Sequence, residues 1–131
     1  MDQTANNQIM VVGGDTHFTY LMQRYVRTSA HQIIFANLGE DVLARARCDK
    51  PTAIVLEVDP PETIGWHTLQ ILKADQEVGK IPVIVCSWLD EEAHCRDLGA
   101  DFYLHMPILY ADFEAALTAT LLKEQNEKSC E

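Results

Sequence analysis

The stretch Ala53-Ile54-Val55-Leu56-Glu57-Val58-Asp59-Pro60-Pro61-Glu62 decides how this chain is read. Ala53 to Val58 is almost purely apolar and rich in β-branched residues, the pattern of a strand covered on both faces. The two prolines that follow stop both a helix and a ladder, so residues 59–62 form a loop. Working outward, Gln8 to Val12, Gln32 to Ala36, Ile81 to Cys86 and Phe102 to Leu104 read as further strands. Helical patterns separate them. Asp15 or Thr16 caps a helix whose apolar positions are Phe18, Leu21, Met22 and Tyr25. A second helix runs through Val42, Leu43 and Ala46, and a third takes Trp66, Leu69, Ile71 and Leu72 and ends near Gly79. Asp90 to Leu98 is a short helix stopped at Gly99, and Leu109 to Lys123 is a closing amphipathic helix. The polar residues Glu124 to Glu131 are expected to fray.

Strands alternating with helices argue for βαβ units and a parallel sheet. Five such units with right-handed crossovers give a doubly wound α/β sandwich. The flavodoxin-like strand order 2-1-3-4-5 is one common solution, and alternation alone does not select it. Sites in such folds lie at the carboxyl ends of the strands, which gathers Gly13, Gly14, Glu57, Ser87 and Met106.

With 131 residues and 47% hydrophobic content, the chain is expected to be one domain, residues 1–131, with a core over about 8–122. The net charge of −10 and only ten Lys and Arg argue against direct binding to nucleic acid or to an anionic membrane, so partners are expected to be proteins. The four cysteines show neither a CxxC pair nor zinc-ligand spacing. The first residues lack the basic start and apolar stretch of a secretory leader, and no apolar run approaches the roughly 20 residues that span a bilayer. A cytoplasmic protein with reduced thiols is the expectation.

Several segments in order carry a family resemblance. Pro51-x-x-Ile54-Val55-Leu56-Glu57 is followed by Gly65-Trp66, then by Ile81-Pro82-Val83-Ile84-Val85-Cys86-Ser87, then by Gly99-Ala100-Asp101-Phe102-Tyr103-Leu104. At this spacing the chain resembles the receiver (CheY-like) domain of two-component response regulators, across about residues 8 to 122. The resemblance implies the strand order 2-1-3-4-5, a switch pair at Ser87 and Tyr103, and protein partners bound on the face of the fourth helix, fifth strand and fifth helix. It implies a partner face at Trp88, Tyr103 and Tyr110, and dimerisation through the same face is a further expectation. Ser87 and Gly99 lie about three residues closer than family members usually show, nearly one helical turn.

The same resemblance exposes what is missing. The family's acidic pair falls on Gly13 and Gly14, its phospho-acceptor aspartate on Glu57, and its lysine on Met106. Phosphoryl transfer depends on a metal ion and a cationic side chain to neutralise charge. Glycines offer no side-chain oxygen to Mg²⁺, and a methionine offers no ammonium group. The chain is therefore read as a degenerate pseudo-receiver: not an enzyme, without a cofactor, and binding a protein partner independently of phosphorylation. Residual metal-dependent phosphoryl binding through Asp15, Glu57 and Asp59 is one alternative.

Glu57 itself has two readings. Its longer side chain can imitate a phosphorylated aspartate, accepting a hydrogen bond from Ser87 with Tyr103 turned inward, or it is an inert acid facing solvent. Burial without a counter-charge would raise its pKa. Gly13-Gly14-Asp15 reads as a plain tight turn or as a backbone nest for an anion. A small-molecule or redox sensor using this turn and Cys86 is a further alternative, against which Cys86 reads as a buried structural thiol. Trp88 either plugs the pocket mouth or anchors a partner. The five histidines show no metal-ligand spacing and read as surface or strand-end residues.

Overall fold

A computed structural model describes residues 8–29, 31–37, 41–58 and 63–129, the side chains of residues 63 and 121–129 excepted. Five strands, β1 (Gln8–Val12), β2 (Gln32–Ala36), β3 (Ala53–Glu57), β4 (Val83–Ser87) and β5 (Phe102–His105), form one parallel sheet in the order β2-β1-β3-β4-β5. Five helices connect and close it: α1 (Thr16–Thr28), α2 (Val42–Asp49), α3 (Thr63–Ala74), α4 (Glu92–Asp97) and α5 (Tyr110–Ser129). This is the flavodoxin-like (βα)5 arrangement.

Alternate residues along each strand point to opposite faces, and two apolar layers result. Ile9, Val11, Ala53, Val55, Ile84 and Cys86 face α1 and α5, where Phe18, Met22, Val26 and Phe113 are buried against them. Met10, Val12, Ile54, Leu56, Val83 and Val85 face α2, α3 and α4, meeting Ala46, Leu69, Leu72 and Cys95. β3 is buried at every position, as a central parallel strand covered by helices on both sides should be. No described helix is long and apolar enough to cross a membrane.

Several boundaries differ from expectation for local reasons. α3 ends at Ala74 rather than near Gly79, because the Asp75 carboxylate accepts from the backbone N–H groups of Glu77 and Val78 and starts a separate 3-10 turn, Val78–Lys80. β4 begins at Val83, since Pro82 has no N–H to place in the ladder. α5 continues as helix to Ser129, past the point where fraying was expected, through residues of good helix propensity. Ile71, read as a core position of α3, lies largely exposed. α4 has six residues, under two turns, and sits in the interval between Ser87 and Gly99 that the resemblance marks as short.

Two chain reversals use left-handed backbone. Gly99 ends the α4 segment at φ 103°. Lys50 caps α2 at φ 48°, a conformation that costs a side-chain-bearing residue roughly 1–2 kcal/mol.

One ion pair ties the layers at the sheet edge. Lys73 Nζ donates to Asp101 Oδ2 at 3.0 Å and to the Ile81 carbonyl at 3.1 Å, while Asp101 also accepts from the Val83 N–H at 2.9 Å. Asp101→Ala leaves both donors short of this acceptor in a half-buried setting. Urea denaturation is expected to show a loss of about 2–3 kcal/mol, and an unchanged midpoint would remove this role.

Candidate functional site

The carboxyl ends of β1, β3, β4 and β5 converge on one end of the sheet. The register sets Glu57 beside Cys86 and Ser87 beside His105, and the Met106 N–H donates to the Ser87 carbonyl at 2.8 Å. Gly13, Gly14, Glu57, Ser87 and Met106 are thus brought to the same region, as expected.

Glu57 is not the solvent-facing acid that one reading allowed; it is 4% exposed. Its Oε1 accepts from the backbone N–H of Gly14 at 3.2 Å and of Asp15 at 3.3 Å. A carboxylate taken out of water needs such donors. These two lie at the start of α1, where the helix dipole also favours negative charge. The β1–α1 turn is therefore a small anion nest, and the anion seated in it is the chain's own side chain.

Gly13 is the counterpart of that arrangement. A Cβ at this position would lie 2.4 Å from Glu57 Oε1, 3.0 Å from Glu57 Cβ and 3.3 Å from the Phe18 ring. Glu57 thus occupies the space into which a side chain at residue 13 would project. Gly14 differs: a Cβ there meets nothing within 4 Å. One of the two glycines is required by packing and the other is not.

Asp15, a candidate metal ligand from the sequence, has a structural task. Its Oδ2 accepts from the Phe18 N–H at 2.9 Å, capping α1. Asp59, the third candidate, lies outside the described residues. Among the described residues no cluster of three or more His, Cys, Asp or Glu side chains is placed to hold a metal. The donor set explains why: the glycines supply no oxygen, Glu57 is turned into the loop and Asp15 is committed to the cap. These residues do not fit the Mg²⁺ site that the resemblance implies.

Met106 is 6% exposed and packs in the α1–α5 layer with Phe18, Met22 and Phe113. The position that a lysine would hold has become part of the core. Ser87 is fully buried, and its Oγ accepts from the Leu89 N–H at 2.9 Å. The Tyr103 hydroxyl donates to the Leu89 carbonyl, so Tyr103 is turned inward over the β4–α4 loop, against the layer that holds Leu89, Leu98 and Ala100. Burial pushes the Tyr103 phenol up, partly offset by hydrogen bonds with the Glu91 backbone and Ser87. Strand alternation assigns Ser87 to the α3–α4 face and Glu57 to the α1 face. The hydroxyl pair and the carboxylate accordingly serve different loops.

One reading of another residue is corrected. Trp88 does not plug the pocket; its side chain is 58% exposed on the surface. Tyr110 packs edge-on against Tyr25 at 5.2 Å, in the layer opposite to that of Tyr103. Cys86, the thiol named for a redox sensor, is buried like Cys95, and burial pushes both up, Cys95 to about 12. Leu109, 63% exposed at the β5–α5 connection, is a surface residue that the helical pattern alone hid within its apolar spacing.

The comparisons fit this geometry. No protein-family model matches the chain. In sequence it is similar to the alkaline phosphatase synthesis transcriptional regulatory protein PhoP of Bacillus subtilis, 29% identical over 123 residues, covering 92% of this chain and 50% of that protein. It is also similar to protein PilH of Pseudomonas aeruginosa, 28% identical over 104 residues, covering 77% of this chain and 86% of PilH. The chain thus spans about half the length of PhoP and of the other transcriptional regulators it matches. In fold it is similar to a signal receiver domain from Vibrio parahaemolyticus, with a TM-score of 0.81, 20% identity, and coverage of 96% of this chain and 98% of that one. A receiver domain of a Pseudomonas aeruginosa sensor histidine kinase, solved with magnesium coordinated in its active-site cleft, matches with a TM-score of 0.76 and 17% identity over 87% of this chain and 96% of that one.

The coupling of residues 13 and 57 makes a direct prediction. Gly13→Ala drives a Cβ into the Glu57 carboxylate and is expected to lower unfolding stability by about 1–3 kcal/mol. In a Glu57→Ala background, where the carboxylate is gone and the 3.0 Å Cβ contact remains, Gly13→Ala should cost clearly less in chemical denaturation than it does in wild type. Additive losses would show that the two positions do not share the space. The chain is thus similar in sequence to response regulators and has the fold of their receiver domains.

Proposed function

We propose that this chain is a pseudo-receiver: a signalling module of the two-component type that binds a protein partner without being phosphorylated. The observation that carries this reading is the seating of Glu57 in the β1–α1 turn. A phosphorylatable receiver needs that volume for a metal ion and a phosphoryl group, and here a buried carboxylate and two backbone donors fill it. Met106 in the core supports the same reading, since no ammonium remains to clamp an acyl phosphate.

The partner face on this reading is the surface around the β4–α4 and β5–α5 connections. Ser87 pairs with His105 in the register, so Trp88 and Leu109 project from neighbouring loops. A large exposed indole is a typical anchor for a protein partner. Tyr103 underlies the first loop and fixes its conformation through the Leu89 carbonyl. Self-association through this face is compatible with the same chemistry.

Isothermal titration of Mg²⁺, alone and with beryllofluoride, against wild type and Glu57→Gln tests the proposal. No saturable heat in either protein is the expected result. Saturable Mg²⁺-dependent binding of beryllofluoride that is lost in Glu57→Gln would show a working phosphoryl site and overturn the reading.

A further inference from the structure

A second recess lies at the opposite end of the sheet. It is a cleft of about 370 Å³, bounded by residues that precede β3 and β4 together with the end of α2 and the 3-10 turn. Since β3 has five residues rising about 3.3 Å each, this cleft and Glu57 are separated by roughly a strand length of 17 Å. The cleft is independent of the site discussed above.

Its charge is opposite to that of the protein. The chain carries −10 overall, with ten Lys and Arg, yet Arg47, Lys50 and Lys80 all line this one cleft against a single acid, Glu77. Arg47 is held in place from behind. Its guanidinium bonds Asp75, whose Oδ2 in turn accepts from the Glu77 and Val78 N–H groups at 3.1 and 2.9 Å. The hydrogen bond from Arg47, with that from the Val78 backbone, holds the Asp75 carboxyl down to about 2, so the anchor stays ionised at neutral pH. Only part of the guanidinium fork is used by this bond, and its remaining N–H donors are available to a ligand.

Lys50 supplies a separate observation. Among the described residues it is the one non-glycine with positive φ, at a helix end where glycine would be unstrained. Residues held in such a conformation are found disproportionately at functional sites. The lysine of that strained cap lines the cleft. Partly exposed Ile81 gives the recess an apolar floor, over the buried Ala46 and Val78.

We propose that this cleft binds a small phosphorylated molecule, its phosphate held by Lys50, Lys80 and Arg47 and its body resting on the apolar floor. Two ammonium groups beside a guanidinium suit a compact phosphate. Glu77 at the same cleft disfavours extended polyanions such as nucleic acid.

The test titrates inorganic phosphate and adenosine monophosphate, as probes, into wild type, Lys50→Gly and Lys80→Gln by calorimetry, with thermal unfolding in parallel. Saturable binding of both probes is expected, tighter for the nucleotide and weaker at higher salt. Each substitution should weaken it about tenfold or more. Lys50→Gly should do so without lowering Tm, because it relieves the left-handed strain; this separates lost binding from lost folding. Absence of saturable binding of either probe up to about 10 mM, or equal affinity in wild type and both variants, would overturn the proposal.

Discussion

A carboxylate removed from water must find hydrogen-bond donors, and Glu57 finds them in the loop that joins β1 to α1. That contact organises the whole end of the sheet. It draws the turn over the end of β3, it forbids a side chain at residue 13, and it leaves Asp15 free to cap α1 rather than reach toward a shared metal. Beneath it, Met106 and Phe18 continue the apolar layer under α1 and α5. The site is closed by packing and hydrogen bonding together.

The opposite face of the sheet carries a different arrangement. Ser87 and Tyr103 both act on Leu89, the hydroxyl of one accepting its N–H and that of the other donating to its carbonyl. The β4–α4 loop is thereby fixed, with Trp88 on its outer side. Glu57 lies on the other face of the sheet from this loop. Here the carboxylate is engaged with the α1 side of the sheet, and the loop is held by its own hydroxyl partners.

How much of this could be read beforehand depends on how local each cause is. β3 was legible because a central parallel strand must be apolar on both faces, and the sheet order was implied by the family resemblance that the segments from Pro51 to Leu104 carry. That Gly13, Gly14 and Met106 stand where the family has its acids and its lysine was implied by the resemblance. The partnership of Gly13 and Glu57 was not, since it joins residues 44 positions apart through a side-chain direction that no spacing reveals. The contact of Tyr110 with Tyr25 was not legible either, because a helix start says nothing about which layer its first side chain enters. The left-handed Lys50 was invisible because lysine is not a residue that signals such a cap.

Amide hydrogen exchange at Gly14 and Asp15, resolved by NMR in wild type and Glu57→Ala, tests the central claim most directly. The account predicts slowed exchange at both amides in wild type, although both residues are exposed at the surface, and fast exchange at both in the variant with the core amides of β3 unchanged. Fast exchange at Gly14 and Asp15 in wild type, or protection that survives removal of the carboxylate, would contradict it.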